Sequence, residues 1–575
     1  MGSFRAIEWE RDRQNMTGIE KIAASDEYFD LGKNVSMPIR TRGEDSQVWF
    51  DRGLAWAYGF NHEEAAKCFQ QVVAHDPEAA MGYWGIAYAL GPNYNKSWWA
   101  FDPKELKANV ERGKRAIEEG KKVAREPLEK RLIEAIERRF HQDDFKASND
   151  AYGEAMRKIY QEFNGEKDLN LISLTADAVM NTAVRKLFES GSGKPILSSP
   201  VFEIKDILER GMKEPGAMKH PGVLHFYIHL MEMSETPEAA LVASDNLRQL
   251  VPDSGHIHHM PSHIYVLVGE YRRSVDTNIN STLVDDKFFH KVGGKNFYSF
   301  YRLHDYHSLI YAAMLAGLSK TALESCDRME STITEDLLRL DSPPMANWME
   351  FFLAVRVHVL IRFGMWKKLK ELPIPEDKDL YCVTVAMTYY GKAIAHAATG
   401  QVTQAETEKT NFLQAADRVP PTRLDFPNRI VDVLKVARAM LDGEIEYRKG
   451  NYKKAFESLR LAVHHDDNLH YTEPWGWMLP TRHSLAALLL EQNHAEEAAT
   501  LYAEDLGLQP GITRAHQHPN NVWALHGYHE CMVRLGRTAE ANIIEKQLRV
   551  VQAAADFPID SSCLCRLETK SCCKN

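Results

Sequence analysis

No run of apolar residues in this 575-residue chain approaches the ~18 needed to cross a bilayer, so no membrane span is expected. The opening stretch, MGSFRAIEWERDRQNM, carries charges where a secretory leader needs an apolar segment. It also has Ala6 where a myristoylation pattern needs Ser or Thr. An excess of positive charge is missing too. The formal net charge is -10, which argues against a phosphate-binding surface, and nucleic acid is not an expected partner. Strand signals are rare, and neither a G-x-G-x-x-G nor a P-loop motif occurs, so nothing points to a nucleotide fold. These absences together lead to the expectation of a soluble, cytoplasmic protein.

Cysteine is sparse over most of the chain and crowded at its end. Cys68, Cys326, Cys382 and Cys531 stand singly in helical segments, where a buried free thiol is the usual arrangement. The other four fall in CLCRLETKSCCKN, the last 13 residues. That placement is no disulfide framework for a large domain. A flexible tail that binds a soft metal, cycles in redox state or is acylated fits it, and so does an end with no part in the chemistry. The closing CCKN makes a poor prenylation signal.

What the chain does have is a period of 34. From Trp49 it reads WFDRGLAWAYGFNHEEAAKCFQQVVAHDP, and Trp49, Gly53, Trp56, Ala65, Phe69 and Pro77 sit at tetratricopeptide offsets. Small residues let the two helices of a hairpin approach, large ones fill the gap, and proline ends the second helix. Gly443, Gly450, Tyr452, Ala455, Leu459 and Ala462 repeat the pattern, and weaker copies surround Ala240, Ser274, Ala322, Gly400, Ala498 and Trp523. The expected fold is all-α, a tetratricopeptide-like helical-hairpin solenoid wound as a right-handed superhelix. Residues 1–45 read as an N-terminal extension, 46–555 as the solenoid and 556–575 as the Cys-rich flexible tail. Within the solenoid, 100–215 is helical but matches the repeat poorly, and 216–330 is the histidine-rich part.

Ten of the 24 histidines lie between 220 and 307. His225 and His229 are four apart, and so are His259 and His263, a spacing that puts each pair on one helix face. The two pairs are 34 residues apart, one repeat length, and His307 falls at the matching slot of the next repeat. Equivalent positions in adjacent hairpins stack, so these five imidazoles are expected to converge on a concave groove, with His220, His256, His258 and His304 in reserve. Neutral imidazole suits copper, iron or zinc, and two i, i+4 pairs can fill a coordination sphere. All-nitrogen ligation favours copper or iron handling oxygen, with zinc activating water as the alternative. Glu232 is a candidate carboxylate ligand or base, and Tyr227 and Tyr265 are candidates to move protons. Asp305, Tyr301 and Tyr306 lie close by in sequence.

Two features qualify that reading. A single histidine in a helical repeat is ordinarily a satisfied inter-helix residue. Pro261 stands between His259 and His263, and proline is comfortable only in a helix's first turn. If a helix starts there, His259 is a cap. Downstream, His516, His518, His526 and His529 form a looser group whose registers do not coincide, a weaker candidate for a second site. Tyr94, Trp98 and Trp99, in the aromatic turn GPNYNKSWW, are candidate substrate contacts, although large aromatics also fill the space between helices.

The motifs AMGYWGIAYALGPNYN, HPGVLHFYIH and HHMPSHIYVLVGEY resemble a family of bacterial and fungal tetratricopeptide-containing proteins, over most of the chain. The resemblance implies the fold and assigns no catalytic residue; the Cys-rich tail and the 516–529 segment depart from it. Three functions stay open: a metal-dependent oxidoreductase acting on a small molecule in the groove, a scaffold that binds a peptide or protein partner, and a zinc-dependent hydrolase. A scaffold groove would be lined by Lys, Arg and Asn rather than imidazole. The oligomeric state is open, a homodimer included.

Overall fold

A computed structural model describes residues 19–140 and 144–566. The fold is all-α and tetratricopeptide-like: helices follow one another as hairpins. Among the described residues, the strands are the two-residue pair Leu424–Asp425 and Asn428–Arg429, antiparallel, with Leu424 opposite Arg429. The chain divides into two compact units. The first comprises Met1–Glu189, Gly193–Ile264 and Ile279–Arg302; the second comprises Ser190–Ser192, Tyr265–Asn278 and Leu303–Asn575.

The first unit opens on the hairpin that the 34-residue pattern marks, Glu44–Tyr58 with His62–His75, followed by Ala80–Leu90. Its close packing depends on two glycines. A Cβ on Gly53 would stand 2.5 Å from the Phe69 ring, and one on Gly85 would stand 2.3 Å from it. The ring of one helix therefore lies flat on the bare backbone of the helices before and after it. Asn61 caps the second helix by accepting from Glu64 N–H at 3.2 Å, satisfying one of its orphan donors. The stretch 100–215, weak as a repeat, is helical: Pro103–Val123, Pro127–Arg139, Phe145–Glu162, Leu169–Met180 and Val201–Gly211. Asp102, Asp144 and Asp168 cap three of these helices through their carboxylates. Pro221–Met231, Leu241–Leu247 and Gly255–His259 follow, and they carry His225, His229, His256, His258 and His259.

The second unit repeats the packing device. Leu459 fills the place of a Cβ on Gly443 at 2.5 Å, within Ile430–Arg448 and Tyr452–Asp467. Tyr502 does so for Gly527 at 2.3 Å, between Ala495–Asp505 and Val522–Arg534.

Both expected appendages differ in their described parts. Residues 19–43 lack a helix but are tied down. Ile22 O accepts from Trp49 Nε1 at 2.9 Å, and Asp30 N–H donates to Asp253 at 2.7 Å. At the other end, the expected flexible tail is packed through residue 566. Asp556 accepts from Ser319 N–H at 2.6 Å and Phe557 meets Phe363 edge-on at 5.2 Å. Arg566 meets Glu530 at 2.6 Å, and Cys563 is paired with Cys565. Burial of Ile559, Ser561 and Ser562 is the physical reason: this segment covers hairpins that would otherwise face water. Cys572 and Cys573 lie outside the described residues.

Because the Phe69 ring leaves no room, Gly85→Val is expected to cost about 1–3 kcal/mol, read as a fall in the urea midpoint. Gly43→Ala, where nothing lies within 4 Å of the new Cβ, should change stability by less than about 0.5 kcal/mol.

Candidate metal centre

The first unit gathers five imidazoles and one carboxylate into a single buried cluster. His225 and His229 come from Pro221–Met231, Glu232 from the residue capping its end, and His256 and His259 from Gly255–His259. His263 follows in the helix that Pro261 starts, Pro261–Leu267. The proline thus breaks the expected i, i+4 pair across two helices. Even so, His259 Nε2 and His263 Nε2 lie 2.8 Å apart. None of the six residues is more than 4% exposed.

Glu232 organises the cluster. One of its carboxylate oxygens meets His229 Nδ1 at 2.9 Å, and the other meets His263 Nδ1. A carboxylate oxygen only accepts, so both Nδ1 atoms carry the proton and both Nε2 atoms present lone pairs. The chain of donors then runs in one direction. His259 donates its Nε2–H to His263 Nε2, and its Nδ1 accepts from Ser262 Oγ at 3.3 Å.

A backbone carbonyl fixes His225 in the same way. Its Nδ1–H donates to Tyr58 O at 2.6 Å. Tyr58 ends its helix, where carbonyls lack an intrahelical partner. The lone pair of His225 therefore sits on Nε2, which is buried without a hydrogen-bond partner. Burial, and then the neighbouring His229 ring, hold the His225 pKa well below its ordinary value, so the ring is neutral.

His225, His229 and His256 each offer a nitrogen, and the three atoms lie within 4.8 Å of one another. His229, Glu232 and His263 form a second such group sharing His229. A tetrahedral ion needs nitrogens about 3.3 Å apart at ordinary bond lengths, so the three rings would draw closer around one. With His229 Nδ1 committed to Glu232, Nε2 is the atom His229 has to offer. The arrangement is the carboxylate–histidine pairing that orients metal ligands.

Phe60 forms the apolar side of this centre. Its ring stacks on His229 at 5.6 Å and on His256 at 5.5 Å, and stands 4.5 Å from His225. To put the ring there its backbone takes φ +57, a left-handed conformation unfavourable for a bulky residue. Tyr94 packs against His229 at 5.4 Å, and Tyr301 meets His256 edge-on at 5.1 Å. His256, expected only as a reserve, is central; its signal was its place one turn before His259.

Other expected site residues are placed elsewhere. The imidazoles are packed under Phe60 and Tyr94 rather than along an open groove wall, because their aromatic neighbours exclude water. Tyr227 gives its hydroxyl to Glu209 at 3.1 Å, on the opposite side of the helix from His225. Tyr265 belongs to the second unit, where Arg273 donates to its hydroxyl at 3.1 Å. His307 belongs there too. Its Nε2 faces Met478 Sδ at 3.0 Å and its ring stands 5.4 Å from Phe352, and burial lowers its pKa to about 3. Trp98 is core, stacked on Phe145 at 4.9 Å, whereas Trp99 is 62% exposed.

The downstream histidines resolve differently. Asp505, fully buried, accepts from His483 Nε2 at 2.8 Å, His518 Nδ1 at 2.7 Å and Asn521 Nδ2 at 2.9 Å. The far nitrogens are also occupied: Arg362 donates to His483 Nδ1 at 3.2 Å and Tyr311 to His518 Nε2 at 2.7 Å. Burial would raise the Asp505 carboxyl, but the two imidazoles outweigh it and hold it well below the usual range. His516 stacks on Trp475 at 3.8 Å. His483 and His518 form a satisfied structural network, whereas His526 Nδ1 is buried without a hydrogen-bond partner.

No family model and no curated protein matches the chain. Among solved structures, Naa15/Naa10 bound to HypK-THB is similar at 13% identity and TM-score 0.23, over 88% of this chain and 70% of that one. Yeast Tom70 is similar at 11% and 0.27, over 88% and 93%. A circular tandem repeat protein with novel repeat topology is similar at 11% and 0.14, over 89% of each. At these values the likeness carries no argument.

Two outcomes follow from the buried polar groups. Asp505→Leu strands three donors and is expected to cost about 3–5 kcal/mol in urea unfolding. His358, in the second unit, has its pKa lowered to about 3, first by burial and then by the Arg362 guanidinium. The unfolded chain takes up that proton below about pH 6.5, and the folded chain does not until near pH 3, so the group's contribution to stability falls as pH drops through this window. His358→Phe should therefore lose about 2 kcal/mol less than the wild type between pH 7 and pH 5, measured by urea unfolding at each pH.

Proposed function

We propose that this protein binds a transition-metal ion in its first unit, at nitrogens of His225, His229 and His256. Glu232 and the Tyr58 carbonyl act as the groups that orient two of them. The observation that carries the reading is the His225 Nε2 lone pair, buried and unpartnered beside two further imidazoles. A neutral histidine trio suits copper, iron or zinc. Three protein ligands leave a coordination position open, which is what distinguishes a catalytic ion from a structural one. On that ground the activity we propose is a metal-dependent oxidoreductase acting on a small organic molecule, with copper or iron as the ion; zinc in the same place would support hydrolysis.

A second reading rests on the architecture alone. Tandem helical hairpins present extended surfaces to peptides and proteins, and that build is present throughout both units. Among the described residues no helix is long and apolar enough to cross a membrane.

Protein purified without chelators should carry about one equivalent of copper, iron or zinc by elemental analysis. His225→Ala and His256→Ala should each lose it while keeping the helical circular-dichroism signal. Glu232→Gln should keep the fold and weaken the metal roughly 10–100-fold. Less than roughly a tenth of an equivalent in the wild type, against the one ion that a single three-ligand site would hold, would turn the choice to the scaffold reading.

A further inference from the structure

The second unit contains a cavity unrelated to the imidazole cluster. It lies among His307, His358, Asp425, Met387, Val433 and Met478 and is open to solvent on one side. Most of the wall is aliphatic or aromatic. That composition, with a few polar points in an apolar lining, is typical of small-molecule sites.

The polar points are specific. His358 is 6% exposed, and its Nδ1 is buried without a hydrogen-bond partner. A buried polar atom left unpaired in a well-packed unit calls for a ligand or water to satisfy it. The rest of its ring is held edge-on against Trp477 at 4.7 Å. His307 Nε2 is already engaged with Met478, whereas His358 Nδ1 has no hydrogen-bond partner. Asp425 is delivered by the short strand Leu424–Asp425 and is 6% exposed.

The titratable groups here share one property. Burial lowers the pKa of both imidazoles to about 3, and burial with the nearby Glu473 raises the Asp425 carboxyl well above its ordinary value. Both imidazoles are neutral near pH 7. An anionic ligand would find no cation in them and would lose its hydration.

We propose that this cavity is a binding site for a neutral, single-ring or short-chain, mainly apolar molecule whose hydroxyl or N–H group donates to His358 Nδ1. Nothing in it depends on the metal centre, whose residues all belong to the first unit.

The test uses the full chain with phenol, toluene and benzoate as probes, followed by calorimetry and by the shift in Tm. Phenol should bind saturably and raise the Tm, toluene should bind more weakly, and benzoate weakest. His358→Leu should weaken phenol roughly tenfold and leave toluene unchanged. Val433→Phe, which fills the cavity, should abolish both. If that variant does not fold, His358→Leu alone decides. The proposal is overturned if phenol does not bind, if benzoate binds as well as phenol, if His358→Leu weakens phenol no more than toluene, or if phenol binding survives in folded Val433→Phe.

Discussion

A buried carboxylate can only accept hydrogen bonds, and the chemistry of the first unit depends on that constraint at Glu232. By taking Nδ1–H groups from His229 and His263, it fixes the tautomer of both rings and turns their Nε2 lone pairs outward from itself. The same carboxylate lets His259 and Ser262 line up as donors behind His263. Without it, His229 and His263 would lose their shared acceptor, and each would have to find its own partner among apolar neighbours.

The second unit shows what the same chemistry does when every valence is filled. Asp505 also bridges two buried imidazoles, but Arg362 and Tyr311 close off the far nitrogens. Histidine density therefore does not distinguish a metal centre from a structural latch. The deciding property is whether a lone pair remains after the orienting bonds are made. His225 keeps one and His483 does not.

The hairpin packing and the centre meet at the end of one helix. The flat contact of Phe69 with Gly53 and Gly85 sets the first hairpin, and the chain must turn sharply after Tyr58 to build it. That turn forces Phe60 into a left-handed backbone, frees the Tyr58 carbonyl for His225, and lays the Phe60 ring on three imidazoles. Local strain at this residue is offset by the ring contacts it makes, a common relation at functional sites.

The sequence by itself determined the all-α, tetratricopeptide-like hairpins, because small-against-large spacing at a 34-residue period follows from how closely two helices can pack. It also marked His225, His229, His259, His263 and Glu232, since residues three or four apart in the chain, or one repeat apart, are brought close together by helical hairpins. Only the tertiary structure decided that His256 joins them and that His307 and Tyr265 serve the second unit. It alone showed that Tyr227 turns to Glu209 and that residues 556–566 are packed. The reason is the same in each case: sequence spacing gives the face of a helix, whereas the partner of a ring nitrogen or a hydroxyl comes from a distant segment, as Tyr58 O does for His225, and no local pattern encodes it.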